Sequence, residues 1–205
     1  MSRLYWPLKS RPLGSFRNLR CSMPAAEIGQ AIGSPVGGFQ LPSINGEQVT
    51  LASILKGKRG AVVIFWSSFC SHCIHYDDFL NSFTRDHPEL GLAVIASRDG
   101  EGLPHLRAIA AERNLKFPIL HDAGGNIAAT WFARQTPRAF LIDGTGVLLY
   151  RGAIDNFKYA KDPDFVPYLE PAIAEYLAGR PLSRVEVASF GCAVKSVYYE
   201  LPKAL

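Results

Sequence analysis

Continuous apolar runs alternate with amphipathic stretches through the middle of the chain. Ala61-Val62-Val63-Ile64-Phe65-Trp66 and Leu92-Ala93-Val94-Ile95-Ala96 contain no polar position. Strands buried on both faces of a parallel sheet have this character. After the first run, Ile74, Phe79, Leu80 and Phe83 recur at helical spacing and predict a helix over residues 71–86, closed by His87-Pro88. After the second, Pro104 in a first turn opens a predicted helix over residues 103–113. A short strand is predicted at Phe117-Pro118-Ile119-Leu120, a short helix over 126–133, and a last helix over 164–178 stopped by Gly179 and Pro181. Two hairpins flank these elements. Phe39-Gln40-Leu41 and Gln48-Val49-Thr50 enclose the turn signal Asn45-Gly46, while Ala139-Phe140-Leu141-Ile142-Asp143 and Val147-Leu148-Leu149-Tyr150-Arg151 enclose Gly144-Thr145-Gly146.

This order predicts an α/β fold: a mixed central sheet with helices on both faces and an N-terminal hairpin. The Gly- and Pro-rich stretch at residues 29–38 marks entry into the domain. The expected organisation is an N-terminal extension over 1–29, one domain over 30–180, and a C-terminal tail over 181–205. A chain of 205 residues can form such a core without disulfide staples. No internal repeat is visible, and no apolar run approaches the length of a membrane span.

Composition changes this picture little: 48% hydrophobic and 20% charged residues are ordinary for a globular protein. Charge is more informative, because the net +4 comes from the start of the chain. Residues 1–26 carry Arg3, Lys9, Arg11, Arg17 and Arg20 and no acid, leaving 17 basic against 18 acidic residues elsewhere. A near-neutral body argues against a nucleic-acid surface. The basic, acid-free start has the composition of a transit peptide but lacks the apolar stretch of a secretory signal. It is expected to be a disordered extension or a misassigned start. Cytoplasmic location is the default expectation, with export the alternative if the start is misread.

The chemistry concentrates in the cysteines. Cys21 and Cys192 lie far out, whereas Cys70 and Cys73 form one C-x-x-C pair where the first buried strand meets a helix. Such an isolated pair in a domain of this size indicates redox or metal chemistry. A helix start carries unsatisfied N–H groups and partial positive charge, which stabilise a thiolate. Positions three apart on a helix place Cβ atoms about 5–6 Å from each other, and modest adjustment reaches disulfide geometry. Cys70, nearer the exposed helix end, is the expected attacking thiol, and Cys73, one turn deeper, the resolving thiol. His72 between them would favour the thiolate further if protonated. Stabilising the reduced form makes the couple more oxidising, so its potential is expected above the value of about −270 mV for thioredoxin. Thr136-Pro137 precedes a strand and is expected to be cis, with the backbone before the proline offering unpaired groups that align a substrate strand.

Other assignments remain open at this level. Buried cysteines are often inert, which suits Cys21 or Cys192, and His72 can be a solvated residue without influence. Cys192 is either a third redox thiol or a tail cysteine without a partner. Structural zinc needs four ligands and only one C-x-x-C is present, although Cys70, Cys73 and a histidine would suit Cu(I) or zinc in a metal-binding module. No Gly-rich nucleotide fingerprint occurs, since Gly144-Thr145-Gly146 lies in a hairpin, and no organic cofactor is implied.

Phe65-Trp66-Ser67-Ser68-Phe69-Cys70-Ser71-His72-Cys73 resembles the active-site segment of thioredoxin-like redoxins, and Thr136-Pro137 before Leu141-Ile142-Asp143 resembles their cis-proline region. Residues 33–41, with Asn45-Gly46 and Leu51, are similar to the alkyl-hydroperoxide-reductase/thiol-specific-antioxidant branch. Arg151-Gly152-Ala153-Ile154-Asp155 and Gly191-Cys192-Ala193-Val194-Lys195 resemble a peroxiredoxin-like subgroup bearing C-x-x-C. The resemblance covers roughly residues 30–195. It implies a thioredoxin fold, a redox-active centre, and thiol–disulfide exchange with protein substrates and an unidentified redox partner. It carries the nucleophile, resolving and cis-proline roles onto Cys70, Cys73 and Pro137. An antioxidant thiol peroxidase is the alternative, with a sulfenic acid on Cys70 resolved by Cys73 or Cys192. Against that alternative, the peroxidatic pattern P-x-x-x-T-x-x-C has Val63 and Ser67 at its Pro and Thr positions. Thioredoxin's buried acid is replaced by Ile64, leaving His75 and Asp77 as candidate proton acceptors or ordinary surface residues. Asp122, Arg151 and Asp155 match family positions and are expected to stabilise loops.

Overall fold

The computed structural model describes residues 31–158 and 163–194; the N-terminal extension and Cys21 lie outside the described residues. Asn45-Gly46 closes the expected first hairpin between β1 (Gln40–Pro42) and β2 (Gln48–Thr50), which pair antiparallel. Thr50 and Ser53 then form a reciprocal capping box that starts α1 (Leu51–Leu55), a helix the hydrophobic pattern is too short to announce. The first apolar run is β3 (Gly60–Trp66), followed by α2 (Ser71–Ile74) and α3 (Asp77–Asp86). The second run is β4 (Leu90–Ala96), followed by α4 (Leu103–Glu112). Then come β5 (Ile119–His121), α5 (Asn126–Thr130), β6 (Gln135–Thr136), β7 (Arg138–Asp143), β8 (Leu148–Gly152), α6 (Leu169–Leu177) and β9 (Cys192–Ala193).

The central sheet has the order β5-β4-β3-β7-β8. β3 runs parallel to β4 and antiparallel to β7, and β4 parallel to β5, so the sheet is mixed as expected. The second sequence hairpin is the β7–β8 edge. Every residue of β3 and β4 is buried. Strand alternation divides β3 between two cores. Val62, Ile64 and Trp66 pack with residues of α3, α4 and α6, while Val63 and Phe65 pack on the other face with Leu51 of α1 and Ala128 of α5. This is the thioredoxin fold. Phe65 meets Trp131 and Phe140 edge-on at 6.0 and 5.6 Å between ring centroids. Phe65→Ala should therefore destabilise the domain by about 3–5 kcal/mol. Denaturant unfolding checks this, and a loss below about 1 kcal/mol would mean that the second core repacks freely.

Three predicted helices are shorter than the pattern suggests. The helix over 71–86 is broken at His75 and Tyr76. The Tyr76 N–H donates to the Cys73 carbonyl, and its buried side chain turns to donate its hydroxyl to Asp155 Oδ1 at 2.5 Å. That turn leaves Ile74, a predicted core position, 48% exposed. The helix over 164–178 starts only at Leu169, because the preceding backbone pairs with residues 154–156: Asn156 N–H donates to Val166 O and Tyr168 N–H to Ile154 O. The helix over 126–133 ends at Thr130 as Phe132 takes a left-handed φ of 53°. Beyond residue 180, the tail does not run free. Residues 185–187 are strapped along Arg151 of β8 by backbone bonds, and Arg151 pairs with Glu186. β9 then pairs with β6.

Candidate active site

β3 ends in the Ser67-Ser68-Phe69 turn, which delivers Cys70 to the start of α2. Cys70 caps the helix through its carbonyl, which accepts from the Cys73 and Ile74 N–H groups at 2.9 and 3.2 Å. Both cysteine side chains are free thiols and both are buried. For Cys73 this is the expected depth. For Cys70 it corrects the expectation of an exposed helix end: the sulfur has no solvent-accessible surface.

The Thr136-Pro137 peptide is cis and faces the pair, with Cys70 Sγ 3.2 Å from the Thr136 carbonyl, to which the protonated thiol donates. The backbone before Pro137 is not unpaired, as the sequence suggested. β9 lies antiparallel against β6 in the register Thr136↔Cys192 and Gln135↔Ala193. This pairing sets Cys192 opposite Thr136, whose carbonyl lies 3.2 Å from Cys70 Sγ. Cys192 lies close enough to help lower the Cys70 thiol.

These contacts make the three sulfurs unequal. The Cys70 thiol is lowered to about 4. The largest cause is a hydrogen bond from the Cys73 thiol; burial opposes it, and donors on Cys192 and Thr136 add to it. Cys73 moves strongly the other way, first because it is buried and then because its proton is held by the Cys70 anion. Cys192 is also raised, by burial and by its bond to Cys70. The site therefore favours the anion on Cys70 and the protonated form on Cys73 and Cys192. His72 is exposed on the rim beside Pro137, and the groups that depress Cys70 are Cys73, Cys192 and Thr136.

Neither proposed proton acceptor is oriented toward Cys73. His75 stacks on Phe157 with ring centroids 3.5 Å apart, and Asp77 forms an ion pair with Arg113. The buried acid near the pair is Glu101, which the sequence reading missed. It accepts from the Ser67 and Ser68 hydroxyls at 3.1 and 2.6 Å and from the Ser68 N–H, and so anchors the turn leading into Cys70. His105 Nε2 adds a contact to Ser68 Oγ at 2.9 Å. Asp122 receives Ser97 Oγ and the N–H groups of Ile127 and Ala128, while Asp155 receives Tyr76 Oη and Phe157 N–H. Both, like Arg151, hold loops. Among the described residues, no group of three His, Cys, Asp or Glu side chains is disposed to hold a metal ion, and no helix is long and apolar enough to cross a membrane.

Beside the pair lies an apolar groove of about 370 Å³ lined by His72, Tyr76, Pro137, Ile154, Phe157 and Phe190. Phe190 of that lining is 81% exposed, and Phe69 and Ile74, which flank the cysteine pair in sequence, are 50% and 48% exposed.

Residues 32–151 match the AhpC/TSA family. A thiol–disulfide oxidoreductase ResA of Bacillus thuringiensis subsp. konkukian is 29% identical over 118 residues, which span 58% of this chain and 67% of that protein. A thiol:disulfide interchange protein DsbE homolog of Paracoccus denitrificans is 28% identical over 75% of this chain and 81% of its own length. Among solved structures, a hypothetical protein of Sinorhizobium meliloti 1021 superposes with a TM-score of 0.72 at 28% identity, covering 80% of this chain and 93% of that one.

Proposed function

This chain is a thiol–disulfide oxidoreductase that belongs to the AhpC/TSA family, and we propose that it exchanges disulfides with protein substrates through Cys70 and Cys73. The carrying observation is the placement of the two sulfurs: Cys70 stands at the start of α2 with Cys73 buried one turn on and the cis Thr136-Pro137 loop 3.2 Å from Cys70 Sγ, a setting that lowers the Cys70 thiol and raises that of Cys73. The thiolate is the attacking species in disulfide exchange. The Cys70 anion attacks a substrate disulfide, forms a mixed disulfide, and releases the other substrate sulfur. Two of the causes that keep Cys73 protonated, its bond to Cys70 and the Cys70 charge, vanish when Cys70 is covalently bonded. Cys73 can then lose its proton, attack Cys70 Sγ and release the reduced substrate. The same steps run in reverse when the pair oxidises a dithiol.

A protein substrate suits the surroundings. Exposed Phe69, Ile74 and Phe190 and the apolar groove beside Pro137 offer a surface for an apolar segment near the reacting cysteine. Peroxide reduction is less well supported, because Ser67, which stands at the Thr position of the peroxidatic pattern, donates its hydroxyl to Glu101.

The test is a trap. The double variant Cys73→Ser with Cys192→Ser removes the other two cysteines of the described residues. Mixed with a disulfide-bonded test protein, it is expected to accumulate a covalent adduct at Cys70 that thiol reductant releases. Further substitution of Cys70 by Ser should abolish the adduct. A double variant that forms no adduct with disulfide proteins or with glutathione disulfide would overturn the proposal.

A further inference from the structure

Resting on that reading of the pair, we infer that residues 189–194 form a built-in substrate mimic whose Cys192 exchanges with the Cys70–Cys73 disulfide and closes the site. Several independent features place this segment where a substrate strand would lie. A substrate strand on a sheet edge is held by main-chain pairing, and β9 pairs in that manner with β6, next to Pro137, with Cys192 opposite Thr136. Val194 N–H continues the pairing by donating to Arg134 O at 3.0 Å, and the Thr136 hydroxyl donates to Cys192 O at 3.4 Å. The cysteine of the segment pairs with Thr136, whose carbonyl lies 3.2 Å from the attacking sulfur, so it stands on the side from which a substrate cysteine would come.

The approach depends on Gly191. Its φ is 153°, and a Cβ there would stand 1.8 Å from the Thr136 carbonyl oxygen and 2.7 Å from its carbon. Only a glycine lets the segment lie this close to the cis-proline loop. On either side the segment is anchored: Arg138 reaches Ser189 Oγ at 3.4 Å, and Val194 is buried in the second core. Phe190, between the anchors, is left 81% exposed.

The exchange step needs no outside oxidant once the pair is oxidised. The Cys192 sulfur, having lost its proton, attacks Cys70 Sγ. The Cys70–Cys73 bond breaks, its electron pair stays on Cys73 Sγ, and that sulfur takes up a proton. One disulfide is lost and one is formed, so no electrons enter or leave. In the Cys70–Cys192 form the substrate edge is occupied covalently, and an incoming thiol must displace Cys192 to reach Cys70.

Disulfide mapping of the full-length protein tests this. The wild-type chain is oxidised with glutathione disulfide, acid-quenched, digested and analysed by mass spectrometry. A Cys70–Cys192 linked peptide is expected beside the Cys70–Cys73 product, in a proportion independent of protein concentration. In Cys73→Ser, Cys70–Cys192 should become the main intramolecular disulfide. Gly191→Ala should lose most of the Cys70–Cys192 product and make reduced Cys70 severalfold faster to alkylate, because the segment lifts from the loop. The inference is overturned if wild type forms only Cys70–Cys73 and Cys73→Ser carries only a glutathione adduct on Cys70. Such a result would leave Cys70 exchange intact. If Cys70 takes up no glutathione in any variant, the oxidoreductase reading fails together with the inference.

Discussion

Replacing Cys70 by Ser is expected to lower disulfide-exchange activity, measured as kcat/KM on a disulfide-bonded protein, by about three orders of magnitude or more, the scale on which removing an enzyme's nucleophile acts. The side chain changes by one atom, and the contacts of the buried site are otherwise kept, so the loss is chemical. Among the described residues, no other cysteine is equipped to take over. Cys73 is buried without solvent-accessible surface and strongly favours its protonated form. Cys192 is also raised above an ordinary thiol. The lost step is formation of the mixed disulfide, so turnover should not recover at saturating substrate. A variant retaining activity within about tenfold of wild type, a difference of about 1.4 kcal/mol, would move the nucleophile to another of the chain's cysteines.

The Cys70–Cys73 couple is expected to be more oxidising than thioredoxin by at least about 60 mV, which is two tenfold steps in the exchange equilibrium for a two-electron couple. Forming the disulfide removes the thiolate, and with it the stabilisation that Cys73 and Cys192 give to it. Every such interaction stabilises the reduced form alone. In proteins of this kind an attacking thiol near 7 accompanies a potential of about −270 mV and one near 3.5 a potential of about −120 mV. A Cys70 at about 4 belongs toward the second case. Equilibration with glutathione buffers, followed by quantification of the two forms, gives the potential. A value at or below that of thioredoxin would mean that the stabilisation of the Cys70 anion is offset by an equally favourable disulfide state.

Features set by contiguous residues were legible in the sequence. β3 and β4 are seven-residue strands without a solvent face, and burial on both faces leaves an unbroken apolar run. The Cys70 and Cys73 pair was legible because one helical turn brings the two together whatever the rest of the chain does. The break at Tyr76 was not, since the periodicity of Phe79, Leu80 and Phe83 extends back to Ile74, and only the distant Asp155 turns Tyr76 inward. Glu101 sits in the polar stretch Arg98-Asp99-Gly100-Glu101, which has the composition of a solvated loop. Its burial arises from the Ser67-Ser68 turn packing over it. The place of Cys192 was the least accessible. A two-residue pairing with Thr136 leaves no period-two pattern, and its partner is remote in sequence. Gly191 and Cys192 stand out as a motif, but nothing local reveals which strand they meet.

The thiolate at Cys70 can be measured directly by following the ultraviolet absorbance of the reduced protein from neutral to acid pH. A thiol whose folded pKa is depressed keeps its charge until the pH falls through that lowered value. One thiolate is therefore expected at neutral pH, disappearing around pH 4 and missing throughout in Cys70→Ser. A reduced protein that shows no thiolate below the ordinary titration range of cysteine would contradict the central claim, because Cys70 would then be a buried thiol with no special reactivity.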